Sequence, residues 1–288
     1  SFYTFQDQTG LNDAQVKSFF SDVQFPGEKP TTIFTNKAVK LMQALNSGDS
    51  AVVADARKVL MLVEFTKADL PLLFEALPKK YYQSQDEYNT VNVLLANAIK
   101  EIDDSSVVDL ADKYYRLKND AGEDVQMHLL EILAAHKTAA SYKLLKELLL
   151  NNTPQKGTIY GLVYSATDSL DLAKGFFPAA TSLYADTITG SGMARIANDL
   201  LDSNLVAPAD VLQNENGLIS LAKKQYAELK KDKDAYPGYN SEIITLLGRF
   251  NTAQSNGLLY KFSALPDMFT KNSAIIALLK NNQPIPAS

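Results

Sequence analysis

Apolar residues at helical spacing recur along this chain, and the segments that carry them come in pairs at a regular distance. In "VNVLLANAIKEI", Val91, Leu94, Leu95, Ala98, Ile99 and Ile102 fall at i, i+3, i+4, i+7, i+8 and i+11. That is one face of a helix. Val52, Val53, Ala56, Val59, Leu60 and Val63 follow the same rule, as do Val107, Leu110, Ala111, Tyr114 and Tyr115. Strand-like alternation is nearly absent; only the opening "SFYTFQ" reads as a short strand or an extended tail.

Starts and stops bracket these runs. Asp49, Asp86, Asp104 and Thr138 each precede one, where a short polar side chain accepts bonds from the orphan N–H groups of a helix. "NSGD" at 46–49, "NNTP" at 151–154, "YPGY" at 236–239 and "NNQP" at 281–284 end them. One set of helices begins near residues 36, 67, 104, 138, 170, 216 and 254; a second begins near 49, 86, 121, 157, 190, 240 and 271. The sets alternate. Spacing within each is mostly 31–38 residues, with one gap of about 46–50 around 170–240. A helix hairpin cannot bury both of its apolar faces alone, so stacked neighbours complete the core.

The apolar stretch "YKLLKELLLNNTP" fits this plan. Leu144, Leu145, Leu148 and Leu149 form one stripe, Leu150 lies beside it, and Lys143, Lys146 and Glu147 occupy the other side. A stripe that wide suits a helix touching its hairpin partner and a neighbouring hairpin at once.

Within the repeat, "DSAVVADARKVL" (49–60) has Asp49 followed by Val53, Ala56 and Leu60 at four, seven and eleven positions on. It resembles the second helix of a HEAT or armadillo-like repeat. "NKAVKLMQALNS" (36–47) and "SYKLLKELLLNN" (141–152) resemble the first helix of such a repeat. The resemblance spans residues 36–282. It implies an all-α fold, a right-handed α-α superhelix (solenoid) of about six or seven stacked hairpins over 36–288, irregular near 204–240. Residues 1–35, with a short amphipathic run at 12–23 and the turn "FPGEKP", read as an N-terminal cap or the tail of a preceding domain. Tetratricopeptide repeats share a similar period, but their Trp-bearing signature is missing and the chain has no Trp.

Composition removes several function classes. A net charge of −5 argues against a nucleic-acid partner, which needs clustered Lys and Arg. The densest basic run, "KKQYAELKKDK" at 223–233, contains Glu228 and Asp232 and reads as a solvated helix face. With no cysteine, there are no disulfides, Cys-type zinc sites or cysteine catalysis. That suits a soluble cytoplasmic protein or an exported bacterial-type one. No run of 18 apolar residues marks a membrane span. The Met-less start at Ser1 and the detached first 35 residues point to a fragment of a larger protein.

No local constellation carries chemistry. His128 and His136 are eight residues apart, with Glu131 between them; the helical zinc-protease pattern needs His residues four apart with Glu directly after the first. "DDSSVVD" (103–109) brings its third Asp too late for the Asp-Asp-x-x-Asp Mg²⁺ motif of all-helical terpenoid enzymes, and "NDLLDSNLV" (198–206) lacks the later Ser and Glu of its companion. The first reads as a helix start, with Asp103 or Asp104 as its cap. "GSGMAR" (190–195) has two glycines of a dinucleotide fingerprint but follows a helix, not a strand; it reads as a loop opening a helix, with a backbone anion site as the lesser reading. "QKGTIYG" lacks phosphate-loop spacing, and Ser165 lacks the glycines of a nucleophile elbow. The sequence thus assigns no catalytic, cofactor-binding or metal-binding residue.

What remains is aromatic: 14 Tyr and 13 Phe. Tyr88, Tyr160 and Tyr164 fall on second helices, which in HEAT-like proteins line the concave surface. They either fill seams between hairpins or form an exposed surface for a protein or peptide, since Tyr combines apolar area with a hydroxyl. Tyr81, Tyr82, Tyr114 and Tyr115 are expected at seams and rims of helix ends. The sequence predicts a non-catalytic interaction or scaffold module. The alternative is an all-helical enzyme whose acids converge from several helices.

Overall fold

The computed structural model describes residues 37–81, 90–117, 125–232 and 239–285. These residues are helical throughout, with turns and no strand. The expected N-terminal cap (1–35), the "SFYTFQ" segment, Asp86 and Tyr88 lie outside them.

Two sets of helices alternate. The first set contains α1 (Lys37–Leu45), α3 (Leu70–Ala76), α5 (Ser106–Arg116), α7 (Ala139–Asn151), the short α9 (Leu170–Ala173), α12 (Glu215–Lys231) and α14 (Ala253–Ser263). The second contains α2 (Ser50–Leu60), α4 (Val91–Lys100), α6 (Val125–Ala135), α8 (Tyr160–Thr167), α10 (Gly190–Asp202), α13 (Asn240–Phe250) and α15 (Met268–Lys280). A further short helix, α11, spans Pro208–Val211, and 3-10 segments cover Lys67–Asp69, Lys174–Phe176 and Ala179–Ala185.

Side-chain caps set several of the helix starts. The Asp49 carboxylate accepts from the Ala51 and Val52 amides at 2.8 and 3.4 Å. Thr138 and Ser141 cap α7 reciprocally, as Thr252 and Ser255 do for α14. Asp104 stands one position ahead of the cap, because α5 starts later than expected. Ser105 precedes α5 in helical conformation, and the Asp104 carboxylate accepts from the Ser106 amide at 2.9 Å. The tight turn between α13 and α14 runs through Asn251 at φ 49°, a left-handed conformation that Asn tolerates better than most residues.

Packing follows chain order within each set. In the second set, α2 packs on α4, α4 on α6, α6 on α8, α8 on α10, α10 on α13, and α13 on α15. In the first set, α1 meets α3, α3 meets α5, α5 meets α7, α7 meets both 3-10 segments of 174–185, Ala179–Ala185 meets α12, and α12 meets α14. Cross contacts such as α1–α2, α5–α6, α12–α13 and α14–α15 join the two sets. The buried residues form one continuous core along the molecule.

Aromatic and polar pairs cross the seams within each set. Aromatic pairs mark first-set seams: Phe74 with Tyr114 (ring centroids 5.7 Å), Tyr142 stacked on Phe176 (5.6 Å), and Tyr226 edge-on to Phe262 (5.6 Å). The leucine-rich α7 uses this seam directly. Tyr142, Leu145, Leu148 and Leu149 are buried, with Leu144 and Leu150 half-buried beside them, and each fully buried side chain of this size contributes about 1.5–3 kcal/mol. Tyr115 is buried, and its hydroxyl donates to the Asn152 carbonyl at 2.6 Å, tying α5 to the end of α7. Polar pairs cross seams of both sets, as with Arg116–Glu147 at 2.8 Å between α5 and α7. Those of the second set include Lys100–Glu131 at 4.0 Å, Arg195–Glu242 at 2.8 Å and Asn240–Thr270 at 2.9 Å.

The pattern loosens once. Where a full first-set helix is expected from residue 170, the chain makes only the four residues of α9 and the two 3-10 segments. The 17-residue α12 then lies against Ala179–Ala185.

Candidate functional site

Tyr160 and Tyr164 lie one turn apart on α8, so both side chains emerge on the same face. Tyr164 is 72% exposed and Tyr160 41% exposed; elsewhere in the same set Val52 and Val59 on α2 and Met268, Phe269, Ile276 and Leu279 on α15 also face water. The Tyr160 ring meets the half-buried Tyr239, which precedes α13 from far along the sequence, at 5.0 Å between centroids and a 54° tilt.

Beneath this pair lies a cavity of about 270 Å³. Three elements enclose it: the segment leading into α8, the start of α10, and one face of α12. Ile159, Ser191, Leu221 and Gln225 line it and are buried. Tyr160 and Tyr239 form a wall. Thr158, Thr187, Lys224 and Glu228 stand at its exposed rim. Lys224 and Glu228 are one helical turn apart, so the rim charges offset each other.

The "GSG" stretch explains how α10 closes in. The two glycines sit in the first turn of the helix itself, not in a loop before it. A Cβ on Gly192 would stand 2.6 Å from Ile159 and 2.7 Å from Val163; one on Gly190 would stand 2.7 Å from the Tyr184 carbonyl oxygen. Glycine here permits close helix approach. The Asp186 carboxylate accepts from the Ile188 and Thr189 amides at 3.0 and 2.7 Å, which fixes the lead-in turn.

A second cluster joins α10 to α13. Arg195 pairs with Asp199 (2.9 Å) and with Glu242 (2.8 Å). Asn198 is buried; its amide donates to the Glu242 main-chain carbonyl (2.9 Å) and its side-chain oxygen accepts from Arg249 (3.0 Å). Arg249 also reaches Asp202 at 2.7 Å. Burial raises the Asp199 carboxyl above its ordinary value, against the lowering pull of Arg195. Three carboxylates converge here, but each faces an arginine, so the cluster bridges two helices instead of offering a free acid.

The histidines remain apart. His128 Nδ1 lies 3.5 Å from the Glu131 carboxylate, and Lys100 approaches the same carboxylate at 4.0 Å. His136 is half-buried, and burial lowers its pKa. Among the described residues no group of three or more His, Cys, Asp and Glu could hold a metal ion. Nor is any helix there long and apolar enough to cross a membrane.

Sequence reasoning named Tyr160 and Tyr164, which the structure leaves exposed, but not their setting. Tyr239, Ser191 and Gln225 carry no local signal; each joins the cavity because separate elements meet. Asn198, Asp199 and Asp202 sit in the "NDLLDSNLV" segment, where they carry a helix-to-helix bridge. No family model, no curated protein and no solved structure matches this chain.

Proposed function

We propose that this chain is a non-catalytic interaction module, an α-α superhelix of HEAT or armadillo type that binds a protein or peptide along the concave face lined by its second set of helices. The observation that carries the reading is the exposure of Tyr164 and Tyr160 on one face of α8, beside a half-open cavity. Aromatic side chains left in water at a concave site are favoured anchors for a partner. The order of packing, each helix on its predecessor and successor in its own set, supports the superhelix, because that is how a repeat stack buries its faces.

Selection from a displayed random-peptide library on immobilised protein tests the binding reading. Enriched peptides are expected to lose about tenfold or more in affinity on Tyr164→Ala or Tyr160→Ala. Enrichment indifferent to both substitutions refutes it. The superhelix has its own test in small-angle scattering: a radius of gyration clearly above about 19 Å is expected, since that is the value for a compact domain of this length, and a value near 19 Å refutes it.

A further inference from the structure

We propose that two copies of this chain associate through α15, related by a two-fold axis, with the two helices packed antiparallel. The inference is independent of the peptide-binding reading. In the second set each helix packs on the one before it, and α15 packs on α13. At that contact Gly248 of α13 comes so near that a Cβ there would stand 2.8 Å from the Ala277 Cβ. No further second-set helix follows α15 among the described residues. The end of a repeat stack needs a polar outer face to stay soluble. The face of α15 turned away from Ala277 is not polar.

Met268, Asn272, Ile275 and Leu279 form that face. They fall within about 60° of one another around the helix and lie roughly half a turn from Ala277. Met268 is 70% and Leu279 55% exposed; Asn272 is exposed and Ile275 half-buried. Their spacing of four, three and four is that of a two-stranded coiled-coil seam. It also reads the same in both directions along the helix. A two-fold interface needs a patch complementary to itself, and this stripe meets that condition. Antiparallel pairing sets Met268 against Leu279 of the second copy and Asn272 against Ile275 of the second copy, and the reverse. The two Asn272 side chains then stand in adjacent layers beside the axis and can bond to each other. The same register brings Lys280, at one end of the stripe, to Asp267 of the second copy, at the other, so both ends close on opposite charges. A parallel pairing would set Lys280 against Lys280. Phe269 and Ile276, 84% and 53% exposed, run along one edge of the stripe and widen the apolar contact.

Sedimentation equilibrium of the full chain tests the pairing. A reversible dimer is expected, with a Kd of about 100 µM or tighter. Met268→Lys and Leu279→Lys change exposed side chains, so each should leave circular dichroism unchanged and weaken the dimer at least about tenfold. Lys280→Ala should weaken it about threefold, since two symmetric ion pairs are lost. The chain has no cysteine, so single introduced cysteines report the register. Mild oxidation of a mixture of Met268→Cys and Leu279→Cys proteins is expected to join one to the other. Neither variant should join to itself, because like positions stand about 16 Å apart along the axis. A chain that stays monomeric at about 100 µM overturns the proposal, as does a dimer that neither lysine substitution weakens. Self-joining of each cysteine variant overturns the antiparallel arrangement. Should a lysine variant fail to fold, the cysteine mixture decides.

Discussion

Adding one methyl group at each of three helical glycines tests how tightly the second set is packed. Gly257 in α14 has nothing within 4 Å of a built Cβ, whereas a Cβ on Gly192 in α10 meets Ile159 and Val163 at 2.6 and 2.7 Å. Glycine to alanine in a helix interior gains about 1 kcal/mol through backbone entropy and helix propensity. Gly257→Ala should therefore raise stability by about that much. At Gly192 the gain is opposed. Ile159 and Val163 are 4% and 2% exposed, so neither moves without disturbing the core, and overpacking of this kind costs about 1–3 kcal/mol. The balance makes Gly192→Ala destabilising by about 1 kcal/mol. Gly190→Ala should be worse, about 2 kcal/mol, because two of its three obstacles are the backbone oxygens of Leu183 and Tyr184, at 2.9 and 2.7 Å. Urea unfolding followed by circular dichroism reads the order directly: Gly257→Ala above the parent, then Gly192→Ala below it, then Gly190→Ala lowest. If Gly192→Ala stabilises as much as Gly257→Ala, the close approach of α8 and α10 is wrong, and the cavity they bound goes with it.

Asn198→Ala should lower stability by about 2–3 kcal/mol, since it leaves Arg249 Nε and the Glu242 carbonyl without their bonds at 3.0 and 2.9 Å; Asp202→Ala, whose carboxylate is largely exposed, should change the same urea midpoint by less than about 0.5 kcal/mol. Tyr115→Phe should cost about 1 kcal/mol in thermal or urea unfolding by removing the 2.6 Å bond to the Asn152 carbonyl. His136 titrates below its ordinary value of 6.5 because burial, the larger influence, outweighs the opposing pull of Asp103 and Asp104. The unfolded chain therefore binds the proton first, so stability should fall as pH drops from 6.5 towards the folded-state pKa. His136→Gln should flatten that slope in unfolding measured at several pH values, and an unchanged slope would exclude His136 as its source.

The helices themselves are written locally. The 3.6-residue spacing of Val91, Leu94, Leu95 and Ile99 places them on one buried face of α4, and Asp49 and Thr138 mark the starts of α2 and α7 as their side-chain chemistry requires. The alternation of two helix sets follows from the same periodicity. The stripe on α7 announces a helix with two neighbours, and Tyr142, Leu145 and Leu149 bury against them. The break after residue 170 has a local cause: Gly175 and Pro178 follow Leu170 within eight residues, both residue types end helices, and only Leu170–Ala173 remains α-helical before the 3-10 turns. Convergence, in contrast, is a tertiary outcome. Tyr160 meets Tyr239, and Asn198 meets Arg249, across 79 and 51 positions of chain. Ser191 and Gln225 reach one cavity because α10 and α12 close on the lead-in to α8. A periodic pattern fixes which face of a helix is apolar, since that depends only on the turn angle per residue. Which side chains from different helices share a space depends on crossing angles and on how far each backbone can approach, and here glycines at 190 and 192 decide that distance.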